Sequence, residues 1–328
     1  MKMKSSMKQF VFIIAFLLPV LCKGQAIDNS ENKNMDMKSP FLNICNFKKN
    51  STKMTEKKDA NKSIYCLAIN SKNCFFTIRV NDVIVFRWEN GNGGAAVIPI
   101  NAILLSDGNQ QIIAEMYPMK DKTVFGENAL LVIDIISYPK NNMSNQTEVK
   151  TLSSTILDEM GHLTNDISQK SDYIISDTFM ANNLPSQCEG WKTSIDLSKE
   201  NATHIHQELY NTYKNIYNIL QNKDSKTFFE MIKEREDLIS KMNCFDDFDV
   251  DARKMQIFNT IQATNSKLLP FPDIKNTYLH FEGNGSLVNL LDNKCRGIIQ
   301  YKDNNGNLSA LDFRFCKKTK SDNLKIIL

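Results

Sequence analysis

The sequence has 328 residues with 40 basic and 37 acidic side chains, so its formal net charge is +3 at pH 7. Four of the lysines lie in the first 24 residues, which contain no acidic residue, and removal of that segment would leave 36 basic against 37 acidic side chains. A nucleic-acid-binding protein normally has a basic stripe or a high isoelectric point. This composition therefore excludes nucleic acid as the partner.

The first 24 residues have the pattern of a cleavable secretory signal. Three lysines precede an apolar run over residues 10–21, which is shorter than the about 20 residues that span a bilayer but fits a signal-peptide core. The small residues Cys22 and Gly24 predict cleavage before Gln25. The alternative is a lipoprotein signal cleaved before Cys22, although Leu21 stands where such a signal prefers a small residue. We therefore expect a secreted or periplasmic protein with no transmembrane segment in the mature chain.

The mature chain begins with a polar segment and continues as a β-rich domain. Residues 25–62 are rich in Asn, Lys, Ser and Asp and predict a polar, flexible leader. Residues 63–186 contain short strand patterns with frequent turn signals, which predict an antiparallel β-sandwich. A tight turn at Asn81-Asp82 is predicted to join two strands, and Asp107-Gly108 a second pair. The other predicted strands of this domain cover residues 96–105, 110–117, 128–138, 148–156 and 172–181.

The strands around Asn81-Asp82 are apolar on both faces. Alternation predicts that Trp88, Phe75 and Phe86 lie together on the side opposite to Phe76. A two-sheet sandwich buries only one face of each strand. We therefore expect the second face to be covered by the carboxy-terminal half, by a protein partner or by a glycan. Trp88, Phe75 and Phe86 are the candidate binding surface.

From residue 187 onward the apolar period changes from that of strands to that of helices. Residues 187–328 predict an α+β domain, in which three amphipathic helices precede an antiparallel sheet. The helices are predicted over residues 209–220, 228–242 and 250–261, and the strands over 278–282, 286–290, 296–301, 308–315 and 324–328.

Seven cysteines follow the predicted cleavage site, so at least one of them stays unpaired or forms an intermolecular bond. Cys295 and Cys316 are predicted to form a disulfide, because a two-residue turn at Asn305-Gly306 places them opposite each other in a hairpin. Cys66 and Cys74 flank a polar stretch and are predicted to bridge two adjacent strands. The alternative for each pair is two buried free thiols.

No motif for catalysis, cofactor binding or metal binding is present in the sequence. His204-Ile205-His206 lies at a predicted helix start, where residues two apart point about 200° away from each other. The acidic residues 246–251 lack the glycine and glutamate of a calcium loop and predict a helix amino terminus instead. We expect no catalytic residue, no cofactor and no metal ligand. The alternative is an enzyme whose pocket is assembled by the fold of the carboxy-terminal domain.

Four stretches of the chain together resemble a known group of proteins. They are TIRVNDVIV at residues 77–85, PINAIL at 99–104, Gly190-Trp191, and LHFEGNG at 279–285 followed by Leu287-Val288. With them the sequence resembles a loose family of uncharacterised exported two-domain proteins of Gram-negative bacteria, over most of the mature chain. The resemblance implies no activity. The sequence departs from that pattern at residues 317–319, where Lys-Lys-Thr stands in place of an Arg-Pro pair.

These observations favour an exported, non-enzymatic binding protein of the cell envelope that engages another protein. Two alternatives stay open. The first is a carbohydrate-binding β-sandwich that stacks sugars on Trp88, and the second is the enzyme with a pocket in the carboxy-terminal domain.

Overall fold

The computed structural model describes residues 62–89, 93–120, 122–140, 142–155, 167–263, 266–306 and 308–328. The predicted signal, its cleavage site and the predicted leader up to residue 61 lie outside the described residues. Over the described ranges the protein is α+β, with 15 strands in four antiparallel sheets and five α-helices. None of the helices in these ranges is long and apolar enough to cross a membrane.

The first half of the chain forms two four-stranded antiparallel sheets. The first sheet has the order β4-β1-β6-β7 and the second sheet the order β3-β2-β5-β8. Its elements are β1 (Ser63–Lys72), β2 (Phe75–Val80), β3 (Val83–Trp88), β4 (Gly93–Pro99), α1 (Asn101–Leu104), β5 (Gly108–Tyr117), β6 (Leu130–Pro139), β7 (Thr147–Ser153) and β8 (Tyr173–Ala181).

The two hairpins predicted for this half have different outcomes. Asn81 and Asp82 have φ angles of 51° and 62° and join β2 to β3, which confirms the predicted tight turn. The second prediction is wrong, because residues 101–104 form the helix α1 and β4 and β5 belong to different sheets. The amide of Asn101 accepts a hydrogen bond from the Tyr65 N–H and donates to the carbonyls of Ser63 and Met242. These bonds hold the segment outside either sheet.

Four further helices begin the second half. They are α2 (Ala202–Gln221), α3 (Ser225–Met231), α4 (Lys233–Met242) and α5 (Asp247–Gln262). Residues 228–242, predicted as one helix, are divided between α3 and α4 at Ile232, whose ψ of 6° interrupts regular helix geometry. Asp246 and Asp249 form a reciprocal capping box at the start of α5. This agrees with the prediction that the acidic run marks a helix amino terminus.

The remaining strands form two smaller antiparallel sheets. The third sheet has the order β10-β11-β14-β15 and the fourth sheet the order β13-β12-β9. The strands are β9 (Ser266–Leu268), β10 (Tyr278–Glu282), β11 (Leu287–Leu291), β12 (Ile299–Asp303), β13 (Leu308–Leu311), β14 (Phe315–Cys316) and β15 (Lys325–Ile326).

Two clusters of buried apolar side chains form the core. The second cluster consists of residues from the second half, among them Tyr213, Phe228 and Phe313. The first cluster contains side chains from both sheets of the first half together with residues from α4, β14 and the end of the chain, such as Met242 and Leu328. The first core therefore crosses the boundary predicted between residues 186 and 187.

Neither predicted disulfide is formed, since Cys74, Cys295 and Cys316 are free thiols. The turn before β13 is one residue longer than predicted: Gly306, with a φ of 86°, donates its N–H to the Asp303 carbonyl, and Tyr301 faces Ser309. A shift of one residue moves side chains to the opposite face. In addition, Cys316 lies in the third sheet opposite Lys325, whereas Cys295 is an exposed loop residue. The two thiols are therefore not brought together.

The second predicted disulfide fails for a different reason. The polar stretch after Cys66 does not turn but continues β1 as far as Lys72. Cys66 therefore faces Ile136 on β6, while the Cys74 thiol lies 3.3 Å from the Leu130 carbonyl, near the other end of the same strand pair. At about 3.3 Å per residue, β1 holds these two cysteines far beyond disulfide distance. Burial raises the pKa of Cys74 to about 11, so this thiol stays protonated.

Candidate functional site

One face of the second sheet points away from the core. Antiparallel register places Phe75 opposite Tyr117, and Thr77 opposite Glu115, which in turn faces Ile174. Directly opposed residues share a face of a sheet. The neighbouring residues of β2 and β5, such as Met116, point inward and are buried. We call the surface formed by Phe75, Tyr117, Glu115, Arg79 and Ile174, with the residues between them, the outer face.

The outer face combines exposed apolar groups with paired charges. Tyr117 is 45% exposed and Ile174 is 58% exposed, whereas Phe75 is half-buried. The Arg79 guanidinium lies 3.9 Å from the Glu115 carboxylate. Aromatic residues and arginine are the side chains that dominate protein interfaces. The outer face therefore has the composition of a recognition surface.

The surroundings of Tyr117 keep its hydroxyl protonated. Partial burial raises its pKa, and the negative charge of Glu115 raises it further. A neutral phenol can both donate and accept a hydrogen bond. Tyr117 therefore presents an aromatic ring together with a hydrogen-bonding group on the outer face.

Phe86 and Trp88, two of the three residues predicted for this surface, lie on the other side of the sheet. A β-bulge between Ile78 and Arg79 shifts the β2–β3 register, so that Phe86 faces Ile78 and Trp88 faces Phe76 on the core side. Their rings are stacked with centroids 6.3 Å apart, and the indole of Trp88 packs against Gly94. The prediction that Phe86 and Trp88 share a face with Phe75 is therefore wrong. Tyr117 faces Phe75 instead, and Ile174 lies one strand further away, opposite Glu115.

The β3 end of this sheet is covered by the second half of the chain. Ile84 is buried, its N–H donates to Glu282 Oε2 at 2.9 Å, and its carbonyl accepts from Arg314 Nη2 at 3.1 Å. The same guanidinium donates to both oxygens of Glu282 at 3.3 Å. We call Glu282 and Arg314 the junction pair, because together they satisfy both backbone groups of one residue of an edge strand.

Three of the four stretches quoted for the resemblance meet beside this junction. Asp82 accepts hydrogen bonds from the backbone N–H groups of Gly283 and Asn284. The indole of Trp191 lies against Gly283, where a β-carbon would be 3.1 Å from the indole nitrogen. Asn101 fixes α1 to β1 and α4 in the way described above. These contacts therefore join the two halves of the chain.

The junction pair should make the free energy of unfolding depend on pH in the acidic range. Burial raises the pKa of Glu282, but the positive charge of Arg314, followed by the hydrogen bond and charge of His280, outweighs it and lowers that pKa from 4.5 to about 2. A depressed pKa in the folded chain stabilises it above the unfolded value, and that contribution is lost as pH falls from about 4.5 towards 2. We expect a loss on the order of 3 kcal/mol over this interval.

Urea unfolding between pH 5 and pH 2.5 tests this expectation, with Glu282→Gln as the reference. The Gln variant lacks the ionisable group but keeps the other carboxylates, so the difference between the two curves isolates Glu282. Parallel curves for the two proteins would contradict the assigned role of this carboxylate.

The histidines noted in the sequence do not converge on a metal site. His204 is 75% exposed, while His206 Nε2 lies 2.8 Å from the Thr277 hydroxyl. Across the described ranges no group of three or more His, Cys, Asp or Glu side chains is placed to hold a metal ion. His280, whose Nδ1 lies 3.2 Å from Glu282, belongs to the junction.

A small cavity lies between α2, α5 and the fourth sheet. It has a volume of about 230 Å³ and is lined by Tyr217, Tyr301, Lys223 and Lys267, among others. Burial, and then the neighbouring Tyr217, raise the pKa of Tyr301 to about 12. Ligand sites usually enclose about 300–1,000 Å³. The dimensions and lining of this cavity therefore give little support to the alternative of an enzyme pocket in this half.

Comparisons of the chain with protein-family models, with curated proteins and with solved structures found no match.

Proposed function

We propose that the protein is exported and acts as a non-enzymatic binding protein of the cell envelope, which recognises another protein through the outer face. In this proposal residues 63–186 form a β-sandwich from the first and second sheets, and residues 187–328 form an α+β domain packed against it. The shared core cluster of the two sheets supports the sandwich. The signal-like amino terminus supports export.

The exposure of Tyr117, which faces Phe75, and of Ile174 on the next strand is the observation that carries the proposal. A protein gains nothing in stability by holding an aromatic ring and a large aliphatic side chain half in water, and adjoining groups of this kind mark interaction sites. The ion pair of Arg79 and Glu115 adds polar groups to the same face. Such a surface suits a partner with apolar side chains and complementary polar groups around them.

The carbohydrate alternative loses its main support. A sugar-stacking site needs an aromatic face open to solvent, but Trp88 is half-buried, stacked on Phe86 and packed against Gly94. Tyr117 is an aromatic ring on the outer face that a glycan could contact. Recovery of a glycan is therefore one possible result of the capture experiment.

The experiment is a crosslinked affinity capture of the mature chain from its native envelope fraction. We expect one protein at near-stoichiometric yield, and we expect Tyr117→Ala to weaken its binding at least about tenfold, because interface tyrosines commonly contribute more than 1.4 kcal/mol. Tyr278→Ala is the matched control, since Tyr278 is 55% exposed on β10, away from the outer face.

Two outcomes would overturn the proposal. The first is equal loss of binding in Tyr117→Ala and Tyr278→Ala, which would show that the outer face does not recognise the partner. The second is that the capture recovers no protein, or recovers only a glycan whose binding is weakened by Tyr117→Ala. Retention of the partner by Tyr278→Ala and its loss by Tyr117→Ala supports both the function and the surface.

A further inference from the structure

Helix α5 has apolar side chains on two of its faces. Ile257 and Ile261 point into the second core cluster and are buried. On another side of the helix Phe248, Met255 and Phe258 are 80%, 59% and 43% exposed. Spacings of seven and three residues place these three side chains along one stripe of a helix. We call Phe248, Met255 and Phe258 the α5 stripe.

The described chain begins beside the amino terminus of α5. The carbonyl of Lys62, directly before β1, accepts a hydrogen bond from the Lys140 N–H. The Lys140 ammonium in turn lies 3.2 Å from Asp249 Oδ2 and 5.9 Å from the centre of the Phe245 ring. Asp249 immediately follows Phe248. The residues that precede Lys62 therefore start from a point close to one end of the α5 stripe.

The chain before Lys62 contains a segment that matches this surface in chemistry. Residues 41–47 include Phe41, Leu42, Ile44 and Phe47, and residues 48–58 contain five lysines and one glutamate. The first turns of α5 and its cap contain four aspartates, at positions 246, 247, 249 and 251. Residues 41–47 are therefore apolar like the α5 stripe, and the lysines of residues 48–58 are opposite in charge to the aspartates at the start of α5.

The chain between Phe47 and Lys62 is long enough to reach the α5 stripe, and the position of Lys62 sets the direction in which it would run along the helix. The 14 residues between Phe47 and Lys62 can span up to about 50 Å when extended. The 16 residues of α5 are about 24 Å long. With Lys62 near the amino end of α5, the lysines of residues 48–58 come to the aspartates, and residues 41–47 reach the part of the stripe beyond them.

We propose that residues 41–47 of the same chain occupy the α5 stripe, with the lysines of residues 48–58 against the aspartates at the start of the helix. This assigns an intramolecular docking site to a part of the chain that the composition alone identifies as leader. The site is separate from the outer face and does not depend on the partner proposed there.

Site-specific photocrosslinking in the mature chain tests the assignment. A benzophenone amino acid placed at Phe248 should crosslink within one chain to a peptide from residues 38–58, as identified by mass spectrometry after proteolysis. The same group at Tyr278, which is similarly exposed on β10, should not label that peptide. Crosslinks from position 248 to a second copy, to another protein or only to other peptides would overturn the proposal, as would a yield no higher than that from position 278.

A second set of variants separates specific docking from proximity. Replacing Phe41, Leu42 and Ile44 together by serine should abolish the crosslink from position 248, because the apolar contacts are lost. Ile27→Ser, in the same predicted leader but outside the segment, should leave it unchanged. Since neither change touches a described residue, an unchanged far-ultraviolet circular dichroism spectrum serves as the folding control. A crosslink that survives the triple substitution would overturn the proposal.

Discussion

Arg314→Met is expected to lower the free energy of unfolding by about 3–5 kcal/mol, because it leaves a buried carboxylate without its counter-charge. Glu282 is 1% exposed and Arg314 is 3% exposed. The substitution removes the hydrogen bonds to both Glu282 oxygens and leaves the Ile84 carbonyl without its donor. Equilibrium unfolding in urea at pH 7 measures the change.

Two comparison variants show whether the loss comes from the isolated charge. Combining Glu282→Leu with Arg314→Met should be less destabilising than the sum of the single changes, since neither partner is then left charged and unpaired. Lys325→Met breaks an ion pair with Glu234 whose side chains are 57% and 50% exposed. Such a surface pair should contribute at most about 1 kcal/mol. A loss for Arg314→Met no larger than that for Lys325→Met would contradict the account of the junction.

The parts of the fold that follow from local pattern were predicted from the sequence. The turn at Asn81-Asp82 was predicted because two such residues readily adopt positive φ between alternating strands. The strand over residues 278–282 and the helix patterns of α2 and α5 follow from apolar periodicity in the same way. These features depend on residues close in sequence, so they can be predicted from a single sequence.

Two of the errors share a physical cause, which is a shift of one residue. A bulge between Ile78 and Arg79 reverses the faces of Phe86 and Trp88, and one extra turn residue near Gly306 changes the register of β12 and β13. Because side chains alternate between the two faces of a strand, a shift of one residue assigns every following side chain to the wrong face. With the shifted register, Trp88 packs against Gly94 of the other sheet, a contact that the local pattern does not contain. No local pattern in the sequence predicts the bulge or the extra turn residue.

The residues of the outer face could have been found in part. Along β5 the residues Ile112, Ala114 and Met116 alternate with residues that include Glu115 and Tyr117, so Tyr117 is predicted to lie away from the core. Its position opposite Phe75 depends on the pairing of β2 with β5. That pairing joins strands separated by β3, β4 and α1, and it cannot be derived from alternation alone. The junction pair is similarly non-local, because Glu282 and Arg314 meet only when the two halves are folded.

Phe313→Ala is expected to destabilise the chain by about 3–5 kcal/mol, the usual cost of removing a buried phenylalanine ring. Phe313 is 1% exposed, and its ring centroid lies 6.4 Å from that of Tyr213, 6.2 Å from that of Phe228 and 6.5 Å from that of Phe315. Its carbonyl accepts a hydrogen bond from the Tyr213 hydroxyl at 3.1 Å. The ring therefore lies at the centre of the second core cluster, directly before Arg314 of the junction pair.

The position of Phe313 makes this variant a test of coupling between the halves. If the second core supports the junction, urea unfolding of Phe313→Ala should shift the signals of both cores together. Tryptophan fluorescence from Trp88 and Trp191 reports the first core cluster, and helical circular dichroism from α2 to α5 reports the helices. Tyr278→Ala, at an aromatic residue 55% exposed on β10, should change the free energy of unfolding by no more than about 0.5 kcal/mol. A Phe313→Ala protein that loses helical signal while the fluorescence transition stays in place would show that the first core is stable without the second, and that the junction pair does not couple them.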